Sequence, residues 1–298
     1  KGEGITLAAL GNAYEKLGEV RKAIKYYNQA LEIGQKTRNK KFEGSVLGDL
    51  GIAFFHLGKI REATEFHEQA LKISCKIGNL REEGAELGNL GVTLSHLGEI
   101  SNAIKLYEKA LAIAREIGDR RGEANQLDNI GNAYSDLGEP QKAIEFYEQA
   151  LVISKETGDR TMEGEYICNL GRVNLELNEF KKTIDYCMQS LEIVHKIEYR
   201  KIEAQAICIL GRAFTAQDEP QKALGHCDSA LKIFQEIEYP KGEAEALFAR
   251  SQALHRLGQH EEATSCAQQA LAIFQRIESP LAEKVSQQLA EWGSPQET

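Results

Sequence analysis

Between Ala124 and Leu137 the apolar or small side chains fall at steps of three and four: Ala124, Leu127, Ile130, Ala133, Tyr134 and Leu137. That spacing predicts an amphipathic helix, A, with one buried stripe. After Gly138-Glu139-Pro140 a second stripe runs through Ala143, Ile144, Tyr147, Ala150, Leu151 and Ile153, predicting a longer helix, B. The break between them has corner chemistry. Gly138 suits the left-handed backbone that ends a helix, and Pro140 suits a first turn, where a missing N–H costs nothing. Gly158 and Asp159 close the unit, the glycine ending helix B and the aspartate capping the next helix. Gly78-Asn79 and Gly118-Asp119 are predicted to do the same.

The pattern then recurs. DNIGNAYSDLGEP at 128–140 has counterparts in GNLGVTLSHLGEI at 88–100 and CNLGRVNLELNEF at 168–180, a period of 40 residues without insertion. A fixed period of this length signals stacked helical hairpins. Seven A–B pairs fill residues 1–280; residues 281–292 begin another A-type helix, expected to cap the array, and 293–298 are expected to be a frayed tail. Gly131 recurs as Gly11, Gly51, Gly91, Gly171 and Gly211. A glycine inside a helix costs about 1 kcal/mol relative to alanine. Its recurrence predicts a close helix crossing, aided by small residues such as Ala150 on helix B. Later units depart from the pattern. Asn174 stands where an aromatic is expected, Asn178 and Asp218 replace the corner glycine, and Gln217 and Arg250 replace leucines expected in the core. Corners at Glu198-Tyr199 and Glu238-Tyr239 lack glycine and are expected to be held by packing.

Ile130, Gly131, Tyr134, Leu137, Gly138, Ala143, Tyr147, Ala150 and Leu151, with their equivalents along the whole chain, resemble the tetratricopeptide repeat. The 40-residue spacing is similar to the long-helix subtype of Pins/LGN-type adaptors and kinesin light chains. The resemblance implies an all-α fold, a right-handed α-α superhelix whose A helices line a concave groove. It also implies a scaffold that binds a peptide segment of a partner protein there. The alternative is an architectural or sensor arm of a larger signalling protein whose ATPase, kinase or protease domain lies outside these residues.

Composition narrows the partners. With 42% hydrophobic and 27% charged residues the chain is expected to be folded and soluble. Its net charge of -9 argues against nucleic acid, which asks for a basic face. No run of 18 apolar residues predicts a membrane span. Cys168 and Cys208, and Cys187 and Cys227, occupy equivalent repeat positions, so cysteine reads as a small hydrophobe there. No CxxC pair occurs, so a zinc site is not expected, and with cysteine acting as a hydrophobe a reducing, cytoplasmic setting is the simpler expectation. His56 and His96, one hairpin apart, are expected to stand too far from each other to share a metal. No cofactor is expected. No nucleophile, base and orienter come together, and no Walker, HExxH or GxSxG motif occurs, so catalysis is not expected.

The candidate groove residues come from the inward columns of helix A. One column reads Ala9, Asp49, Asn89, Asn129, Asn169, Ile209, Ala249; another reads Asn12, Ile52, Val92, Asn132, Arg172, Arg212, Gln252. Asparagine is a poor residue for a helix interior because its side chain competes with the backbone. Its clustering therefore asks for a reason. Asn12, Asn89, Asn125, Asn129, Asn132, Asn169 and Gln205 form an amide set able to donate to and accept from an extended peptide. Arg172 and Arg212 would add contacts to an acidic group. The competing reading is that the amides satisfy one another and their neighbours. Self-association through the ends of the array is a further possibility.

Overall fold

A computed structural model describes residues 2–277 and 279–293; residues 294–298 of the expected tail lie outside them. The described residues hold fifteen α-helices and no strand. Two compact units divide between Ile153 and Ser154, inside α8 (Pro140–Thr157).

The first unit contains α1 (Gly2–Lys16) and α2 (Val20–Lys36), α3 (Lys40–His56) and α4 (Ile60–Ile77), α5 (Leu80–His96) and α6 (Ile100–Glu116), then α7 (Arg120–Asp136) and the start of α8. Here α1, α3 and α5 each pack on the even helix that follows, and α2, α4 and α6 each pack on the next odd one. The second unit holds α9 (Arg160–Glu176), α10 (Phe180–Lys196), α11 (Arg200–Ala216), α12 (Pro220–Glu236), α13 (Pro240–Arg256), α14 (His260–Arg276) and α15 (Leu281–Gly293). Within each unit the stripes meet as the periodicity requires. Ala23, Tyr27, Ala30, Val46, Leu50 and Ala53 form one buried cluster, and Ala244, Leu247, Ala267, Ala270, Phe274 and Val285 another. Leu281, Leu289 and Trp292 of α15 pack against the latter.

The corners share one geometry. Gly138 takes φ +72°, and Glu139 N–H donates to Tyr134 O at 2.9 Å, the bond that closes a helix through a left-handed residue. The corners without glycine are built identically. Asn178, Glu198, Asp218 and Glu238 take φ of 59°, 55°, 60° and 51°, and Tyr239 N–H donates to Phe234 O at 2.9 Å. Packing does not create a different corner there; the same left-handed backbone is imposed on L side chains that disfavour it. Asp119 and Asp159 cap α7 and α9 through Gly122 N–H at 3.0 Å and Met162 N–H at 3.2 Å. Asn79 forms no such side-chain bond.

Two sequence expectations change. Leu137 is 42% exposed, beyond the end of α7, so its position belongs to the corner and not to the core. Gln217, its equivalent, therefore replaces no core leucine, and is itself exposed. The recurrent glycine also has another neighbour than expected. A Cβ built on Gly131 would stand 2.7 Å from Tyr147 Cε1, and one on Gly91 2.7 Å from Tyr107 Cδ1. What fills the missing side chain is a ring from helix B. In the second unit Cys187 and Cys227 take the ring's place beside Gly171 and Gly211, and carbonyl oxygens of Thr183 and Ala223 come to 3.5 and 3.3 Å of the built Cβ. Close backbone crossing thus holds where cysteine replaces tyrosine. Asn174, buried where an aromatic was expected, turns its amide onto Leu170 O at 2.8 Å.

Candidate functional site

All nine candidate residues lie on A helices. In the first unit Asn12 is on α1, Asn89 on α5, and Asn125, Asn129 and Asn132 on α7. In the second, Asn169 and Arg172 are on α9, Gln205 and Arg212 on α11. Asn12 and Asn125 are exposed and the others partly buried.

The amides do not share one hydrogen-bonding arrangement. Because Gly11 and Gly131 leave room for a ring, the hydroxyls of Tyr27 and Tyr147 reach polar side chains of helix A. Tyr147 Oη donates to Asn132 Oδ1 at 2.8 Å, and Asn132 Nδ2 donates to Asp128 Oδ2 at 3.0 Å. Tyr27 Oη lies 2.6 Å from Asn12 Oδ1 and 2.7 Å from Glu15 Oε2, and its single proton can serve only one of them at a time. Asn12 and Asn132 thus have structural work, satisfying buried phenols (Tyr27 and Tyr147 are both 0% exposed). Asn129 Nδ2 reaches Gln126 Oε1 at 3.4 Å, at the long limit of a hydrogen bond. Arg172 Nη1 stands 3.4 Å from Glu176 on its own helix. Among the described residues Asn89, Asn125, Gln205 and Arg212 form no side-chain hydrogen bond.

The first unit carries an acidic group that sequence reading passed over. Asp49 lies in the asparagine column. Burial, with the carboxylates of Glu15, Glu86 and Glu82, pushes its carboxyl up to about 7. Glu86 is buried because Gly48 leaves a gap for it, and it meets the buried His67 at 2.7 Å (Oε2 to Nδ1). His67 occupies the place that Tyr27, Tyr107 and Tyr147 fill elsewhere. Burial raises Glu15, but hydrogen bonds from His56 and Tyr27 outweigh it and hold the carboxyl below its usual range. His56 Nδ1 sits 3.0 Å from Glu15 Oε1. The ring of Phe55 lies edge-on to His96 at 4.8 Å and 6.2 Å from that of His56. The signal for this cluster was the coincidence of His67 in a tyrosine column with Glu86 opposite a glycine, which single columns do not show.

The six cysteines are free, and burial pushes the thiols of Cys168 and Cys208 up to about 12, so they stay protonated and unreactive. Among the described residues no three His, Cys, Asp or Glu side chains gather as metal ligands. None of the described helices is long and apolar enough to cross a membrane.

Comparison with known proteins agrees with the repeat reading. The family model described as tetratricopeptide repeat matches residues 3–76, 85–156, 129–196 and 203–276. No curated protein sequence matches the chain. The fold is similar to that of the apo form of RapI, with TM-score 0.78 and 16% identity over 93% of this chain and 99% of that one. It is similar to a Rap conjugation gene regulator of the plasmid pLS20 solved with the Phr* peptide, with TM-score 0.71 and 15% identity over 97% of this chain and 76% of that one. A signal-transduction ATPase of Pyrococcus horikoshii with a tetratricopeptide-repeat sensor aligns with TM-score 0.70 and 19% identity over 97% of this chain and 44% of the ATPase.

Proposed function

The chain belongs to the tetratricopeptide-repeat family, and from that premise we propose that it is a non-catalytic, cytoplasmic scaffold that holds a peptide segment of a partner protein against its A helices. The observation that carries this reading is the pair Asn89 and Asn125. Each presents a side-chain amide that forms no hydrogen bond among the described residues, at helix positions where asparagine has no intrinsic advantage. An amide offers one face that donates and one that accepts, the complement of an extended main chain. Asn129, with only a 3.4 Å contact to Gln126, can join them, and Gln205 and Arg212 are the counterparts in the second unit. Asn12, Asn132, Asn169 and Arg172 retain a secondary part, with Asn12 and Asn132 shaping the surface through their tyrosines. A Rap regulator of this fold was solved with a peptide, which supports the class of ligand. The reading involves neither nucleic acid nor a membrane.

The test is selection from a random peptide library on the intact chain, followed by affinity measurement on Asn89→Ala/Asn125→Ala. Two lost hydrogen bonds to the peptide, at about 1 kcal/mol each, weaken binding by roughly thirtyfold. Melting should stay unchanged, since neither amide holds the fold. No enrichment on the intact chain, or full affinity in the double variant, would sink this reading. A sensor arm of a larger signalling protein is the second reading, favoured by the similarity to the ATPase sensor. It gains if the isolated chain selects no peptide.

A further inference from the structure

Two histidines and the only tryptophan of the chain meet at the turn of the last hairpin. His255 is in the last turn of α13, and His260 is the first residue of α14. Their Nδ1 atoms are 3.2 Å apart, with ring centroids at 4.7 Å and planes inclined by 62°. The His255 ring also stacks on Trp292 of α15, at 4.4 Å and 6°. Trp292 in turn packs on Leu254, Ala263 and Cys266. The backbone between the histidines is fixed. Gly258 takes φ +76°, its N–H donates to His255 O at 3.0 Å, and Gln259 N–H donates to Leu254 O at 3.0 Å. These are two imidazoles held in register, not two rings on a free loop.

The separation has chemical meaning. Zinc holds imidazole nitrogens at about 2.0–2.1 Å, so two of them at right or tetrahedral angles stand about 2.9–3.4 Å apart. The His255–His260 pair lies inside that span. We infer that His255 and His260 form a bidentate site for a divalent first-row ion of the copper, nickel or zinc class, with water completing its coordination. Imidazole suits these ions and not calcium or magnesium. In the present arrangement one Nδ1 carries a proton and the other accepts it. Binding needs both lone pairs, so the donor ring moves its proton to Nε2 and no net proton leaves the neutral pair. Arg256 opposes the ion, although its Nη1 stands 3.9 Å from Asp218 Oδ1. Among the described residues no third His, Cys, Asp or Glu side chain joins the pair as a ligand, so affinity is expected to be micromolar, not nanomolar.

Trp292 makes the test direct. The full chain, free of any histidine tag, is titrated with Cu2+ while tryptophan fluorescence is read. Paramagnetic copper bound next to the stacked ring quenches it. The expected result is saturable quenching that His260→Ala weakens by at least about tenfold, the lower bound seen even for losing an outer-shell partner. His195→Ala, at an exposed position elsewhere, should leave the curve unchanged. Since His260 is exposed and does not stack on Trp292, its variant keeps the fold and the fluorophore's surroundings. Calorimetry with Zn2+, which does not quench, gives a second reading. Quenching that never saturates, the same curve in His260→Ala, or zinc uptake unaffected by that variant would each overturn the assignment.

Discussion

The glycine inside helix A supplies the sharpest test of how the hairpins are built. Gly91→Ala gains about 1 kcal/mol of helix propensity. Against that, the new Cβ would stand 2.7 Å from Tyr107 Cδ1 and 2.9 Å from Cζ, against a ring only 3% exposed. A ring cannot fold away as a flexible side chain does, so the upper end of overpacking costs, about 3 kcal/mol, applies. The net expectation is about 2 kcal/mol of destabilisation. Tyr107→Ala alone should cost about 3–5 kcal/mol. In that background, however, the added methyl meets no ring, and Gly91→Ala should stabilise by about 1 kcal/mol. The sign of one substitution thus reverses, with a coupling of about 3 kcal/mol, at the high end for residues in contact. The last hairpin carries this compensation naturally, with Ser251 in the glycine place and Ala267 in the tyrosine place, both fully buried. Because a repeat array need not unfold in one step, the measurement is native-state hydrogen exchange of the α5 and α6 amides in the four proteins of the cycle. If Gly91→Ala costs the same in both backgrounds, within about 0.5 kcal/mol, the neighbour that excludes a side chain is helix backbone, and the ring account is wrong.

Two further outcomes follow from strained or desolvated groups. Glu238 is exposed at φ 51°, where an L residue pays about 1–2 kcal/mol and glycine about 0.5–1 kcal/mol of chain entropy, so Glu238→Gly should stabilise by roughly 0.5–1 kcal/mol, read as slower exchange at the end of α12. An unchanged or faster exchange would show that the corner carries no strain. Asp49, raised to about 7, binds a proton in the folded chain between its unfolded value near 4 and pH 7. Its contribution is therefore fully present below about pH 4 and is lost as pH rises through 7. Asp49→Asn should raise the melting temperature at pH 8 and leave it nearly unchanged at pH 4; equal shifts at both pH values would mean that the carboxyl is not held protonated.

The repeat and its glycine corners were legible in the chain. Periods of 3.6 and 40 are local properties, and a glycine or proline at a corner acts through its own backbone, so Gly138 and Pro140 could be assigned without any neighbour. The same locality explains the errors. Leu137 completes a helical spacing, yet lies past the helix end and 42% exposed, because apolar character does not say where a helix stops. The corners at Glu198 and Glu238, expected to be held by packing, take the same left-handed backbone without glycine.

The site was legible only as a set of candidates. Sequence by itself determined that asparagines recur on helix A, and that this calls for a hydrogen-bonding explanation. Which partners each one meets was decided by tertiary structure. Asn12 and Asn132 answer to tyrosine hydroxyls 15 residues away, while Asn89 and Asn125 form no side-chain bond among the described residues. The same is true of Asp49, whose proton affinity is set by burial and by carboxylates on two other helices, and of His255, whose partners come from the next helix and from α15. The physical reason is range. Helix formation and capping depend on residues within a turn or two along the chain, but desolvation, charge and hydrogen bonding act between whatever side chains packing brings within a few ångströms.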